Sequence, residues 1–293
     1  MTQPPDESDD LNGVLRRLQE EFGTRRFTEE PEDEDPRPSP PGSDPPLQAA
    51  GPPPPRTPVL LARRPRATWV LMAAILLMYG LSVLLSGALF QPDLRALLAL
   101  GAKENSLIDA GQYWRLVSAT FLHANLVHIF FNSFALYVLG PETERIYGTP
   151  RFLALYFLAG IGGSVASYLL SPAPAVGASG AIFGLIGGLG IFYFLNRAIL
   201  GEFGRAQLQS MVAIAVINLI IGFSSAGVID NWGHLGGLIV GALAALALAP
   251  RLRLDPRFSA PLLVRSAPPW GWAVAAALCI AMIALAVLLP GAR

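Results

Sequence analysis

The sequence predicts an all-α polytopic membrane protein, and three observations predict it. The 293 residues are 53% hydrophobic and only 14% charged, with a mean hydropathy of +0.47; soluble domains are less apolar. Seven runs of near 20 apolar residues are separated by short polar connections, the pattern of helices that cross a bilayer. The basic residues stand at or beyond the ends of those runs, Arg145 at the last turn of the second, where the orientation rule for membrane helices reads them.

The chain opens on a segment of a different kind. Residues 1–58 hold 14 of the 26 prolines, 13 acidic and 6 basic side chains, and the run Glu29-Glu30-Pro31-Glu32-Asp33-Glu34-Asp35. Such a composition cannot bury enough apolar surface to offset ordering entropy, so residues 1–62 are expected to be a disordered, acidic, Pro-rich cytoplasmic tail. Within it Leu11, Val14, Leu15, Leu18 and Phe22 recur at helical spacing, which allows a short amphipathic helix over Asp10–Phe22. No apolar stretch follows Met1, so a cleaved signal peptide is not expected, and the acidity is wrong for an Arg-rich transit peptide.

The expected spans are Ala67–Phe90, Leu126–Ile146, Phe152–Leu170, Ser179–Leu195, Gln207–Phe223, Trp232–Ala249 and Trp272–Leu289. With the N-terminus inside, the inner side carries 11 flanking basic residues and the outer side only Arg95, Lys103, Arg115 and Arg293. That asymmetry selects a cytoplasmic N-terminus and an extracytoplasmic C-terminus. The long outer connection, Gln91–Asn125, contains an apolar run at Ala96–Leu100 and is expected to lie against the outer leaflet.

Composition also excludes. The basic residues form no cluster interleaved with exposed aromatics, so nucleic acid is not an expected partner. Cys279 is the sole cysteine and has no Cys or His neighbours, so neither a disulfide nor a metal site is expected, and no cofactor is implied. It reads as an ordinary lipid-facing or packed residue.

Given this topology, side chains that are costly in lipid fall at one depth. The second span enters from outside and places His128 and Asn132 on one face, four residues apart. The fourth begins at Ser179, and the sixth carries His234 in its first turn. Polar groups on three spans therefore meet in the outer part of the membrane, where ionisable residues are functional candidates by default. Gly180, Gly184 and Gly188 on the fourth span and Gly233, Gly237 and Gly241 on the sixth are stripes that permit close helix approach. If the stripes pack together, Ser179 and His234 come within hydrogen-bonding reach, a nucleophile with its general base for acyl transfer. Taken singly, Ser179 reads as a helix cap and His234 as a buried imidazole bonded to a carbonyl; the combination points to chemistry.

These residues resemble the rhomboid family of intramembrane serine proteases. Gly177-Ala178-Ser179-Gly180 looks like its GxSG motif, and His123, His128 and Asn132 match its HxxxxHxxxN signature. Gly233-His234 with Gly237 and Gly241 looks like its last core helix. Trp114-Arg115 matches the pair in its first outer loop, and Glu144 with Gly148 matches the inner end of its second helix. The resemblance covers roughly Ala67–Ala249 and implies a six-helix rhomboid core over 63–250; the tail and the seventh helix fall outside it, and the apolar run at Trp272–Leu289 leaves 251–293 as an expected cytoplasmic linker and seventh transmembrane helix.

The resemblance implies an endopeptidase that cleaves the transmembrane segments of other membrane proteins near their extracytoplasmic ends, within the lipid bilayer. Ser179 would be the nucleophile and His234 the base, a dyad without a catalytic carboxylate that works through an acyl-enzyme on Ser179. His128, Asn132 and the Ser179 N–H would hold the oxyanion. Phe183 stands where the family often has Tyr under the catalytic histidine; stacking survives, a phenolic hydrogen bond does not. His123 orders the loop or a water, or touches substrate. Trp114, Arg115 and Glu144 read as structural, Asp230 as a loop acid in preference to a third triad member, and Asn231 as a residue that orients water or backbone.

Two other functions compete. A catalytically silent rhomboid-like protein would bind membrane helices for quality control or trafficking, but it would be marked by loss of the serine or histidine, and both are present. A transporter would place ionisable groups deep in several helices or break helices at repeated positions, whereas these groups cluster near one face. One lysine against 20 arginines, with abundant alanine, suggests a GC-rich genome and a bacterial cell membrane.

Overall fold

The computed structural model describes residues 64–224, 229–255 and 262–293. The expected tail and its helix at Asp10–Phe22 lie outside the described residues.

The helices fall where the apolar runs are. They are α1 (Arg66–Ser86), α2 (Leu94–Leu100), α3 (Asn105–Asp109), α4 (Arg115–Ser118) with a 3₁₀ turn at Ala119–Phe121, α5 (Leu126–Tyr147), α6 (Thr149–Leu170), α7 (Ser179–Leu195), α8 (Arg197–Ser224), α9 (Asn231–Leu248) and α10 (Gly271–Leu288). The protein is an all-α membrane protein. Five helices, α1, α6, α8, α9 and α10, are long and apolar enough to cross a membrane, and α5 joined to the α4 turn across a 91° bend makes a sixth. At 17 residues α7 spans only about 25 Å, less than the ~30 Å hydrocarbon core. Its missing length is the irregular segment before Ser179, and non-helical backbone at that depth is tolerated only where protein covers it or it lines a cavity.

Local chemistry fixes the ends of these helices. The N-terminus of α1 follows Pro65 and has no cap of its own, so its orphan N–H groups turn to Glu144 on α5. The Glu144 carboxylate accepts from Ala67 N at 3.0 Å, Thr68 N at 2.8 Å, Thr68 Oγ1 at 2.8 Å and Thr149 Oγ1 at 2.7 Å. A carboxylate there also meets the positive end of the α1 dipole. At the other end, Gly87 takes φ 69° and returns its N–H to Val83 O. Asp93 caps α2, Asn125 caps α5 and Asp230 caps α9, each accepting an N–H three residues on.

The interior is built by α6, α7 and α9. Glycines let their backbones approach: a Cβ at Gly163 would stand 2.6 Å from Gly233 O, one at Gly180 3.2 Å from the same oxygen, and one at Gly237 would collide with Gly180 O. By contrast α8 buries only Gly204, Met211, Ala215 and Gly222. It begins at Arg197, ten residues before the expected span, and bends at Gly201, whose φ is 55°.

The linker after α9 holds a feature the sequence reading does not contain. Arg251–Asp255 (β1) and Leu262–Ser266 (β2) pair antiparallel, Arg251 opposite Ser266. Asn196 at the end of α7 pins this hairpin, donating to Pro250 O and accepting from Leu252 N. At the far end of α10 the chain folds back: Ala292 N donates to Tyr168 O and Gly291 N to Asp109 Oδ1, while Asn105 Nδ2 donates to Ala292 O.

Candidate active site

The last residues before α7 form a turn that sets Ser179. Gly177 has φ 134°, a conformation open to glycine and poor for other residues, and Ala178 then takes the N-cap position with no side-chain capping bond. Ser179 is the first helical residue, so its N–H has no intrahelical acceptor. A Cβ at Gly177 would stand 2.7 Å from His128 Nε2 and 3.6 Å from Ser179 Oγ. The turn therefore has to be glycine for the His128 ring to lie beside the serine.

His234 reaches the same place from α9. Its ring stacks on Phe183 with centroids 4.4 Å apart and planes 14° from parallel, and Phe183 lies on the Ser179 face of α7, four residues on. The backbone contacts of Gly180, Gly184, Gly237 and Gly241 bring the two helices together: a Cβ at Gly184 would be 3.2 Å from Gly237 O, and one at Gly241 would collide with Gly184 Cα. His234 Nδ1 is buried without a hydrogen-bond partner. Asp230 does not reach it; that carboxylate accepts from Gly233 N at 3.0 Å and serves as the α9 cap.

His128 and Asn132 of the second span, with His123 just before it, complete the cluster. Asn132 is buried, donates one amide N–H to His128 O at 3.0 Å, and leaves Oδ1 without a partner; its second N–H remains to donate. His123 is fully buried with both ring nitrogens unpartnered, and it meets the His128 ring edge-on at 5.0 Å. A cavity of about 30 Å³ beside Ser179 has room for a water. Among the described residues no group of three His, Cys, Asp or Glu is placed to hold a metal ion.

Residues 110–251 match the Rhomboid domain. The chain belongs to the rhomboid family. It is 44% identical over 185 residues to "Rhomboid protease GluP" of Bacillus subtilis (strain 168), covering 63% of this chain and 35% of that protein. It is 33% identical over 179 residues to "RHOMBOID-like protein 5" of Arabidopsis thaliana, 59% of this chain and 57% of that one. "Rhomboid-like protease 1" of Toxoplasma gondii is 34% identical over 205 residues, 68% of this chain and 65% of that one. The chain thus spans about a third to two thirds of the length of these relatives.

The remaining candidates of the rhomboid pattern lie away from the serine. Arg115 is buried and donates to Leu98 O, Ala102 O and Gln112 Oε1, tying α2 to the α3–α4 turn. Trp114 is half-exposed, its ring over the Arg115 guanidinium at 4.8 Å. Glu144 and Gly148 sit at the opposite end of α5, Gly148 ending that helix with φ 76°. Asn231 is buried, its Oδ1 unpartnered and lodged where Gly222 of α8 has no side chain. Cys279 lies on α10, partly buried.

Sequence reading passed over two groups here. Gly160, Gly162 and Gly163 line the α6 face that α7 and α9 press against; the signal was a GxGG run, legible only with the facing helices in view. Lys103 and Asn105 reach the segment just before the site from the connection between α1 and α5; the signal was a lone lysine in an apolar chain.

Proposed function

We propose that the chain is an intramembrane serine endopeptidase that cuts membrane-spanning segments of other proteins near their extracytoplasmic ends. The observation that carries this is the approach of three helices at one depth: Ser179 opening α7, the His234 ring stacked one turn along it on Phe183, and His128 Nε2 against the Gly177 turn. Ser179 Oγ attacks the scissile carbonyl while His234 takes its proton, and His234 returns that proton to the leaving amine. Water then attacks the acyl-enzyme by the same proton route and frees Ser179. The Ser179 N–H, the His128 ring beside the Gly177 turn, and the spare N–H of Asn132, one turn along α5 from His128, are the candidate donors for the oxyanion.

In this reading residues 1–62 are a cytoplasmic tail, 63–250 the catalytic core, and 251–293 a linker with a seventh span, in a cell membrane with the C-terminus outside. The flanking basic residues support that orientation. The purified chain in detergent is expected to cleave a model transmembrane substrate and to be labelled by a fluorophosphonate on Ser179. A chain that binds the substrate and does neither is a silent helix-binding protein.

Asn132→Ala is expected to lower kcat by about 10²–10³-fold, the usual effect of losing one oxyanion donor, with KM little changed. Turnover measured over a range of substrate concentrations checks it; weakened binding at unchanged kcat would mean that Asn132 holds substrate instead. Removing residues 1–58 is expected to leave kcat/KM in detergent within about twofold, since surface and tail changes away from a site are small in effect. Loss of activity in a folded truncation would couple the tail to the core.

A further inference from the structure

Lys103 is the sole lysine of the chain and is almost wholly buried, 1% exposed. An ammonium taken out of water must be paid for with good partners, and Lys103 spends its donors on one stretch of backbone. Its Nζ donates to Ser171 O at 2.8 Å and Ala173 O at 2.9 Å. Its own backbone forms a two-way bridge with Ala175, N to O at 3.0 Å in each direction. The stretch it grips, 171–178, is the irregular segment that leads into Ser179. Apart from Ser171 N, which closes α6, the backbone bonds of that segment before the α7 cap are made to the outer connection: to Lys103, to Asn105 through Ser171 O, and to Ala119, which accepts from Gly177 N at 2.9 Å. Lys103 also borders the cavity beside Ser179, with Gly177 and Asp230 on its other walls.

We propose that Lys103 is a positioning residue for the Ser179 turn: its ammonium holds the backbone of 171–173, and so fixes where Gly177 and the Ser179 N–H stand relative to His128 and His234. The proposal rests on the protease reading above and deepens it. The charge matters as well as the length of the side chain, because a charged donor bonds a carbonyl about twice as strongly as a neutral one. The charged groups facing it are Asp230, at the cap of α9, and the neighbouring Glu104; the residues of α6 and of the gripped segment that line the cavity are glycine, serine, alanine and valine, none of them charged. Burial lowers the Lys103 amine to about 8, against the upward pull of Asp230 and Glu104. Below that pH the ammonium is present and the turn is held; above it the charge is lost and the grip weakens.

The test uses the full chain in detergent, with kcat and KM for a transmembrane substrate followed from about pH 6 to about pH 9.5, a range that brackets the amine. Lys103→Met is expected to lower kcat by about 10- to 100-fold, as a small displacement of reacting groups does, with KM unchanged and fluorophosphonate labelling slowed in step. Lys103→Arg, which keeps the charge, is expected to restore most of kcat and to remove the alkaline fall of the wild type. Because there is one lysine, a chain labelled with ¹⁵N-lysine gives one side-chain signal, and its midpoint should coincide with that fall. A folded Lys103→Met with wild-type kcat overturns the proposal, and so does a wild-type kcat that stays flat through the lysine's own titration; the second comparison needs no variant and stands even if Lys103→Met does not fold. A wild type that neither cleaves nor labels overturns the protease reading, and the proposal with it. An active wild type indifferent to the lysine overturns the proposal alone.

Discussion

Ser179→Ala and His234→Ala are each expected to reduce cleavage by at least ~10⁴-fold, since nucleophile and base act as a unit and removing either costs about as much as removing both. Neither change should unfold the chain. The N-cap of α7 is Ala178 and Ser179 is already inside the helix, so the serine hydroxyl does not cap it and contributes little to its stability. His234 leaves Nδ1 without a partner, so alanine there strands no donor or acceptor of the protein and forfeits mainly the stacking on Phe183, on the order of 1 kcal/mol. Melting temperature in detergent should therefore move by a few degrees at most for either variant. Substantial proteolysis by purified Ser179→Ala would end the serine assignment. The two variants differ in one respect that separates the roles: His234→Ala keeps the hydroxyl, so a fluorophosphonate should still label it slowly, whereas Ser179→Ala should take up no label at all.

Gly237→Val is expected to abolish activity together with fold stability. Its Cβ would collide with Gly180 O, and the next atoms it meets are Gly180 C at 2.6 Å and Cα at 2.8 Å. All three are backbone, which cannot swing aside as a side chain would, so α7 and α9 must separate. Overpacking in a close-packed interior typically costs about 1–3 kcal/mol, and a displacement of ~1 Å between reacting groups about 10²-fold in rate. Gly184→Val should behave alike, meeting the Ala159 methyl and Gly237 O. Gly80 on α1 serves as the control, because a Cβ there meets nothing within 4 Å; Gly80→Val should retain both rate and melting temperature. If Gly237→Val keeps both, glycine packing does not assemble the dyad.

The helices were legible because apolar composition and removal from water are equivalent for a chain in a bilayer, whether lipid or another helix covers the side chain. α7 runs from Ser179 to Leu195, the bounds of the apolar run itself, and α5 extends one residue past its expected end. The same equivalence hid the start of α8: Arg197, Glu202 and Arg205 are polar and solvent-facing, yet their backbone is helical. It also hid the β1–β2 hairpin, whose first strand bonds Asn196 some fifty residues away. At the candidate site, Ser179, His234, His128 and Asn132 could be listed from depth alone, because a bilayer makes polar residues conspicuous. Lys103 could not: in a connecting loop a lysine is unremarked, and only its burial against Ser171 and Ala173 sets it apart.

The fold-back after α10 bears on the order in which the protein is made. Asn105 bonds Ala292, 187 residues further along the chain, and Asp109 bonds Gly291, 182 residues further along. Pairings this distant form late, after the local helices, since the loop between them must close first. During synthesis α3 emerges early, but Asn105 and Asp109 have no access to these partners until α10 and the residues after it have been made. Completion of the connection between α1 and α5, and with it the support beside Ser179, thus waits for α10.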